Sequence, residues 1–484
     1  MKYSQPFFRM VVKFKDYLKL PYKGAKEINR YFSHNDLLPF KFILKNFIGT
    51  RIGKLFTTLK PEIITELTNR AGNLGKDYKA PYFLSYYVID CPKELYSDEI
   101  LQILRRNDDV ELAYLETSTV LPPSFAEGKN SSSIHQGYLK PAPAGINAIY
   151  TWNMEGGEGG GIKFIDIEQG WNLEPEKLKV ETLPCTGINL PVFRDHGEAV
   201  LGVILKNHNS IEGKGIAPKA NGYVISQWRP DRSFNTADAI MAAISQLDYG
   251  DIILLEAQIF DSPDGEYLWP VEIQCAVFDV IRLATALGIT VIEAAGNGRK
   301  SFGDGNDLDN YTDSTGKNPL DRSSADFKDS GAILVAAASD AAPHARIMQS
   351  NFGNRVDCYA WGERVSTAGF HHNSSEMAIN SYRKKINGTS SASAIIAGAA
   401  ILVQSVTMYS HHFRLGPKQM RRILSDDLLG TPSANGRSID RLGIMPDLKK
   451  IIDYINLDCL TLKNAEKTNH LSNSKKDIFS HELS

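Results

Sequence analysis

The chain has 484 residues, of which 42% are hydrophobic and 23% are charged, and its formal net charge is −2. This length exceeds what one ordinary core absorbs, and it predicts two domains or one large domain with an appendage. No run of eighteen apolar residues predicts a membrane span, and five widely spaced cysteines without a C-x-x-C pair argue against a disulfide framework or a structural zinc site.

The beginning of the chain is strongly basic. Residues 1–60 contain 13 Lys or Arg residues and 3 Asp or Glu residues. An arm that touches nucleic acid or an anionic membrane would have this charge, and so would one of two complementary domains that dock on each other. We favour docking, and we expect no nucleic-acid partner. The first twenty residues lack the apolar core of a secretory signal, so we expect a protein that stays inside the cell or leaves it by a non-classical route.

The first part of the chain, residues 1–116, predicts a small α+β domain. Alternating apolar residues predict strands over 9–15, 81–90 and 109–116, and a Ser cap opens a helix over 97–106. The following segment, 117–145, is rich in Pro, Ser, Gly and Lys, which favours an exposed linker that a peptidase can cleave.

The pattern changes from residue 146, where short apolar runs alternate with helical segments. The predicted strands cover 161–167, 222–228, 251–257, 289–296 and 332–339. The predicted helices include 234–247, 271–288 and 391–406. Apolar strands separated by helices predict an α/β domain over 146–455, with a parallel sheet covered by helices on both faces. The tail 456–484 is polar enough to be disordered.

Four polar residues lie where predicted strands end or helices begin. Asp166 ends a strand, His196 precedes an apolar helical run, Asn297 lies in a glycine turn after a strand, and Ser390 opens the helix 391–406. Each has an ordinary explanation alone, as a cap, a core histidine or a turn residue. Together they lie where a parallel sheet binds its ligands, at the carboxyl ends of its strands.

These residue types suit nucleophilic catalysis. A serine hydroxyl becomes a good nucleophile when an imidazole accepts its proton, and a carboxylate fixes the tautomer of that imidazole. An Asn amide and a backbone N–H at a helix N-terminus can stabilise the oxyanion. The small residues around Ser390 would let a peptide approach the backbone closely.

The chain resembles the subtilisin-like serine peptidases (subtilase family, peptidase S8) over roughly residues 146–455. The matching motifs are "FIDIEQG" around Asp166, "HGEAVLG" from His196, "AAGNG" around Asn297 and "NGTSSASAIIAG" around Ser390. The resemblance implies a serine endopeptidase that works through an acyl-enzyme. Ser390 would be the nucleophile, His196 the general base and then acid, Asp166 the residue that orients His196, and Asn297 an oxyanion donor.

The front of the chain also resembles the inhibitory propeptide of this family. That resemblance implies an autoinhibited precursor in which the N-terminal region masks the active site until the linker is cut. We expect a monomer that acts on polypeptides and needs no cofactor for catalysis; structural calcium is possible, but no clear motif supports it.

Three residues depart from the family pattern. Glu168 stands where the family usually has Gly, Glu198 where it has Thr, and Ala394 where it has Pro. The two glutamates could raise the pKa of His196 or face solvent, and we favour solvent. Ala394 restores a backbone N–H in the nucleophile helix, which suggests lower activity or transfer of the acyl group to an amine.

Substrate preference is harder to predict. By the resemblance, Glu256 and Gly296 would flank the residue before the scissile bond. Glu256 would then favour a basic side chain, or it would pack outward, and the sequence does not choose between the two. The acidic loop 303–313 does not match the spacing of a calcium loop, and we favour a hydrated specificity loop. The pair His371 and His372 is expected at the surface.

Two other functions stay open. One is an acyltransferase that passes the acyl group to an amine, and the other is a catalytically weak homologue that binds peptides. An α/β-hydrolase esterase is a poor fit, because the chain has no G-x-S-x-G elbow and the chain order of the catalytic residues differs.

Overall fold

The computed structural model describes residues 7–34, 38–75, 78–93, 97–116, 136–173, 178, 180–206, 213–261, 265–299, 303–367 and 384–470. Most of the predicted linker, the pair His371 and His372, and the end of the predicted tail lie outside the described residues.

Residues 7–116, here called the N-terminal unit, form a small α+β structure. Its elements are β1 (Phe7–Phe14), α1 (Ala25–His34), α2 (Leu38–Asn46), β2 (Arg51–Lys54), α3 (Pro61–Leu74), β3 (Tyr86–Pro92), α4 (Ser97–Arg105) and β4 (Val110–Glu116). Its described strands form an antiparallel sheet in the order β2-β3-β1-β4. The strands β1, β3 and β4 and the helix α4 follow the sequence prediction, whereas β2 and the first three helices were not predicted.

The rest of the described chain is an α/β structure built on one large sheet. Its helices are α5 (Ala148–Thr151), α6 (Arg194–Leu205), α7 (Thr236–Ile244), α8 (Cys275–Ala286), α9 (Thr389–His411), α10 (Pro417–Ser425), α11 (Gly436–Ile439) and α12 (Leu448–His470). Its strands are β5 (Lys163–Glu168), β6 (Val180–Thr182), β7 (Asn221–Ser226), β8 (Ile252–Leu255), β9 (Gln258–Phe260), β10 (Tyr267–Pro270), β11 (Thr290–Ala294), β12 (Gly298–Arg299), β13 (Ile333–Ala338), β14 (Cys358–Trp361), β15 (Val365–Thr367), β16 (Lys384–Ile386), β17 (Gly430–Pro432) and β18 (Ile444–Pro446).

In the described part of the chain, this sheet has the strand order β17-β18-β14-β13-β11-β8-β5-β7-β6. All neighbouring pairs are parallel except β17 with β18. The central strands β8, β11 and β13 are buried along their whole length, as expected for a sheet covered on both faces. The predicted α/β fold class is confirmed.

Helix α9 runs through the core. Its residues are buried from Thr389 to Thr407. It is long and apolar enough to cross a membrane, but 94% of its most apolar stretch is buried inside the protein, as in a core helix. Helix α12 continues into the predicted polar tail as far as His470.

The N-terminal unit packs on the outer side of α7 and α8. All nine residues of α7 are buried, and a helix that is apolar all round must be covered on every side. Residues of β1, β3 and α3 share one hydrophobic cluster with α7 and α8. The N-terminal unit therefore completes the cover of this helix pair.

Polar groups fix the same interface. The N–H groups of Thr57 and Thr58 donate to Asp238 Oδ1 at 2.9 and 3.2 Å, and the Tyr86 hydroxyl donates to Asp279 Oδ2 at 2.6 Å. Both acceptors belong to the helices that the unit covers. The interface is thus partly apolar and partly made of charge-assisted hydrogen bonds, which are the stronger kind.

Candidate active site

Three acidic side chains occupy one face of the large sheet near its carboxyl edge. Parallel strands β5 and β8 pair Asp166 with Leu254, and the ladder continues where the Glu256 N–H donates to Ile167 O at 3.1 Å. Side chains two residues apart on a strand share a face, as do paired residues on neighbouring strands. Asp166, Glu168 and Glu256 therefore point to the same side of the sheet.

Glu168 holds the histidine. Its Oε1 forms a hydrogen bond with His196 Nδ1, and both side chains are buried. Asp166 was expected to make this contact. Asp166 lies two residues before the end of β5, about 6.5 Å along the strand from Glu168. Glu168, the last residue of β5, therefore contacts helix α6 instead. The structure thus gives Glu168 the contact with His196 that the sequence analysis gave to Asp166.

Asp166 has a different partner. Trp171 Nε1 donates to its Oδ2 at 2.6 Å, and its Oδ1 is buried without a hydrogen bond among the described residues. Burial, followed by the charge of Glu168, raises the pKa of Asp166 well above its usual range. Asp166 therefore behaves as a buried acid beneath the histidine contact.

Gly197 makes room for the Glu168 contact. A Cβ atom at Gly197 would lie 2.5 Å from Glu168 Oε2 and 2.3 Å from Trp171 Cδ1. Any larger residue after His196 would push these side chains away. The glycine of the "HG" motif is thus required by the close approach of the strand end to helix α6.

Neither extra glutamate faces solvent, contrary to the expectation from sequence. Glu168 and Glu198 are both buried, and Glu198 Oε2 accepts a hydrogen bond from Asn172 at 3.1 Å. Burial raises the pKa of Glu168 well above its usual range and lowers the pKa of His196. The site is therefore rich in carboxyl groups that are shielded from water.

Three serines lie in the first two turns of α9, and the structure distinguishes them. Ser390 is 8% exposed, whereas Ser391 and Ser393 are fully buried. The Ser391 hydroxyl donates to Gly388 O at 2.9 Å, and the Ser393 hydroxyl lies 2.8 Å from Thr389 O. Ser390 is thus the serine of these turns that a substrate can reach.

His196 and Ser390 lie on helices that pack against each other, α6 and α9. His196 Nε2 is buried and has no hydrogen-bond partner in the described part of the chain. The structure therefore places the two side chains on packed helices without a hydrogen bond between His196 Nε2 and Ser390, and such contacts often tighten only when substrate binds.

Asn297 is held at the start of the same helix. Its Oδ1 accepts the Thr389 N–H at 2.9 Å, and its Nδ2 donates to Gln258 Oε1 at 3.2 Å. Gly388 allows this approach, because its φ is +88° and a Cβ there would lie 2.6 Å from Asn297 Oδ1. The sequence analysis missed Gln258, which follows β8 and has no motif of its own.

The two predicted substrate-binding residues are covered. Glu256 is buried, and its Oε1 forms a hydrogen bond with Ser393 Oγ. Gly296 is buried too, and its carbonyl oxygen accepts the Asn351 N–H at 3.1 Å. Glu256 therefore lies on the same face of the sheet as Asp166 and Glu168, and because it is buried it is not an open acceptor for a basic substrate side chain.

The acidic loop 303–313 forms ion pairs with an arginine side chain of the same chain. Arg441 forms ion pairs with Asp307 and with Asp309, the latter at 2.7 Å. Among the residues that the structure describes, no group of three or more His, Cys, Asp or Glu side chains is placed to hold a metal ion.

The chain is similar to three solved structures whose names describe them as proteases. The prenylagaramide maturation protease PagA is 17% identical, with 64% of this chain and 98% of that chain covered and a TM-score of 0.44. MycP3 protease from the type VII (ESX-3) secretion system is 19% identical, with 68% and 90% covered and a TM-score of 0.47. The self-cleaved protease domain of PatA is 18% identical, with 61% and 96% covered and a TM-score of 0.41.

A search among curated proteins returned no match. The sequence model of the subtilase family, Peptidase S8, matches residues 184–441, which is more than half of the chain. The match includes His196, Asn297 and Ser390, and it begins after the strand that carries Asp166 and Glu168. The chain therefore belongs to the subtilase family of serine-type peptidases.

Proposed function

We propose that this protein is a serine endopeptidase with Ser390 as nucleophile, His196 as general base and Glu168 as the carboxylate that orients the histidine. The observation that carries the proposal is the buried hydrogen bond between Glu168 and His196 Nδ1. A proton held on Nδ1 by an ionised carboxylate leaves Nε2 free to accept the serine proton.

The reaction would follow two steps. Ser390 Oγ attacks the carbonyl carbon of the scissile peptide and passes its proton to His196 Nε2. His196 then gives that proton to the departing amine, and an acyl-enzyme remains. In the second step His196 takes a proton from water, the hydroxide attacks the acyl carbon, and the carboxylic acid product leaves as Ser390 regains its proton.

The oxyanion of each tetrahedral intermediate would lie at the N-terminus of α9. The first N–H groups of a helix have no partner within the helix, and the positive end of the helix favours negative charge. The Ser390 N–H and Asn297 Nδ2 would be the donors, each contributing about 3 kcal/mol of transition-state stabilisation. Gln258 would keep the Asn297 amide in place.

The N-terminal unit would act as an intramolecular inhibitor. Its support is the interface on α7 and α8, where Asp238 receives hydrogen bonds from two threonines of the unit and an ion pair from Arg229 at 2.9 Å. Arg229 also donates to the Thr58 hydroxyl at 2.8 Å, so the unit completes a buried polar network of the catalytic part.

Self-processing tests the proposed function. Purified wild-type protein should lose an N-terminal fragment that ends between residues 117 and 145, and the Ser390→Ala protein should keep its full mass. If an added amine is ligated to the acyl group in place of water, the acyltransferase alternative is correct. If wild type keeps its full mass and cleaves no peptide, the peptide-binding alternative gains support.

We expect Tyr86→Phe to weaken the inhibitory contact. The change removes the hydrogen bond to Asp279 and keeps the ring, and a hydrogen bond to a charged group contributes about 1.5–3 kcal/mol. After the linker is cut, the residual activity against a peptide substrate should rise about tenfold.

Tyr17→Phe is the matched control, because it removes a 2.8 Å hydrogen bond to Asp109 within the N-terminal unit, on an exposed side chain. Equal activity of the two variants would show that the contact with Asp279 does not hold the inhibitor.

We expect kcat/KM to fall in acid through a single protonation. The active form needs an ionised Glu168 and a neutral His196 with its proton on Nδ1. An added proton blocks Nε2 in either case. If it binds His196, Nε2 itself is protonated. If it binds Glu168, the neutral acid donates to Nδ1 and the single proton of the imidazole lies on Nε2. Burial raises the pKa of Glu168 and lowers that of His196, so activity is present above the transition of the pair and is lost below it.

The measurement is the pH profile of kcat/KM for the processed enzyme. Glu168→Gln should have only residual activity and no acid limb, because its amide donates to Nδ1 at every pH. An unchanged acid limb in that variant would contradict the assignment of Glu168.

A further inference from the structure

Glu256 is a second carboxyl group beside the catalytic histidine, and the proposed mechanism does not use it. It is buried, its Oε1 contacts Ser393 Oγ, and its Oε2 has no hydrogen-bond partner among the described residues. Ser393 lies one turn after Ser390 on α9. Glu256 therefore connects the end of β8 with the first two turns of the nucleophile helix.

The protons of this contact can be counted. Ser393 Oγ lies 2.8 Å from Thr389 O, 3.0 Å from Ser390 O and within hydrogen-bond distance of Glu256 Oε1. Both carbonyl oxygens can only accept, and the hydroxyl has one proton to donate. If Ser393 donates to a carbonyl, its oxygen must accept from Glu256, and Glu256 must then be a protonated acid. If Glu256 were ionised, the Ser393 hydroxyl would donate its proton to Glu256. Both carbonyl oxygens would then face only the lone pairs of Ser393 Oγ.

The charges around Glu256 favour the same state. The groups that face it are Asp166 and Glu168 from β5, His196 from α6 and Ser393 from α9. A single imidazole cannot balance three buried carboxylates, and like charges in one site do not all ionise. Burial above all, and the neighbouring carboxyl groups in addition, raise the pKa of Glu256 well above its usual range, while His196 opposes this effect.

We propose that Glu256 is a positioning residue held as a neutral carboxylic acid, which donates its proton to Ser393 and so fixes the turn that carries Ser390. This inference rests on the proposed peptidase function for its role, but not for its protonation state. The two glutamates beside His196 then have opposite protonation states. Glu168 is ionised and orients His196 through Nδ1. Glu256 is neutral, and His196 Nε2 stays unprotonated and can act as the base. Environments that separate the states of neighbouring acids in this way assign acid and base roles in active sites.

The kinetic test compares two substitutions. Glu256→Ala removes the donor and should lower kcat/KM by about tenfold to a hundredfold, the range for a buried hydrogen bond left unmade. Glu256→Gln keeps an N–H donor of similar shape and should restore kcat/KM to within about threefold of wild type. The acid limb of the Gln variant should keep its position, because no charge has been removed near His196.

An ionised Glu256 would give the opposite result. Its replacement by Gln would remove a negative charge, lower the pKa of His196 and move the acid limb to lower pH. A shift of that kind, together with a loss of kcat/KM as large in Gln as in Ala, would overturn the proposal.

A spectroscopic test does not depend on activity. Infrared difference spectra of Ser390→Ala proteins, with and without Glu256→Gln, should contain the C=O stretch of one protonated carboxylic acid at neutral pH. Absence of that band, with a carboxylate band in its place, would overturn the proposal even if the enzyme is active. If the band is present and wild type shows no peptidase activity, the proposed function fails and the protonation state stands.

Discussion

Replacing Glu168 by Gln is expected to lower kcat/KM by about 10⁴-fold, although the change is nearly isosteric. In the structure the Glu168 carboxyl is hydrogen-bonded to His196 Nδ1 in a buried site, and in the proposed mechanism it accepts the proton on Nδ1. A Gln amide can rotate its NH₂ group toward Nδ1 and donate to it. The imidazole then carries its proton on Nε2 and cannot accept the proton of Ser390. Steady-state kinetics with a peptide substrate measure the loss.

Asp166→Asn is the matched comparison, since it makes the same change two residues away on the same face of β5. Its carbonyl can still accept the Trp171 N–H, which is the contact that the structure shows for Asp166. We expect this variant to lose at least a hundredfold less than Glu168→Gln. A larger loss of kcat/KM in Asp166→Asn than in Glu168→Gln would show that Asp166 orients His196.

Replacing Ser390 by Ala is expected to abolish turnover, with a loss of about 10⁶-fold in kcat. The change removes the atom that forms the acyl-enzyme and leaves the helix start intact, since no described hydrogen bond of the fold depends on the Ser390 hydroxyl. The protein should therefore fold as wild type does. Peptide hydrolysis and the thermal unfolding midpoint together measure this separation of activity from stability.

Ser391→Ala is the control for that substitution. The Ser391 side chain is fully buried, and its hydroxyl donates to Gly388 O within the same turn. We expect this variant to keep most of the activity. Equal losses of activity in Ser390→Ala and Ser391→Ala would contradict the assignment of Ser390 as the nucleophile.

Much of the architecture follows from the sequence. Continuous apolar strands such as 251–257 and 332–339 predicted a parallel sheet, and the structure has β8 and β13 at those places. The placement of polar residues after strands and before helices also predicted where the site would lie. The helix at 391–406 was predicted too short at both ends. At its start, the small polar residues that read as a cap are already helical.

The contacts inside the site could not be predicted in the same way. The period of a strand places Asp166 and Glu168 on one face, but it does not say which of them is level with α6. That depends on where β5 ends relative to a helix that follows much later in the chain. Charged residues are mostly exposed in proteins, so the burial of Glu198 and Glu256 contradicts the best general expectation. Each of these carboxyl groups is enclosed by a distant part of the chain, Glu198 by Asn172 and Glu256 by Ser393 of α9.

The central claim is that Ser390 is a nucleophile activated through His196 by Glu168. Its most direct test is the mass of processed wild-type, Ser390→Ala and Glu168→Gln proteins after incubation with a fluorophosphonate, which phosphonylates activated serines with loss of fluoride. The account predicts one adduct on wild type, located by peptide mapping at Ser390, none on Ser390→Ala, and much slower labelling of Glu168→Gln. Labelling of Ser390→Ala, or labelling of Glu168→Gln at the wild-type rate, would contradict it.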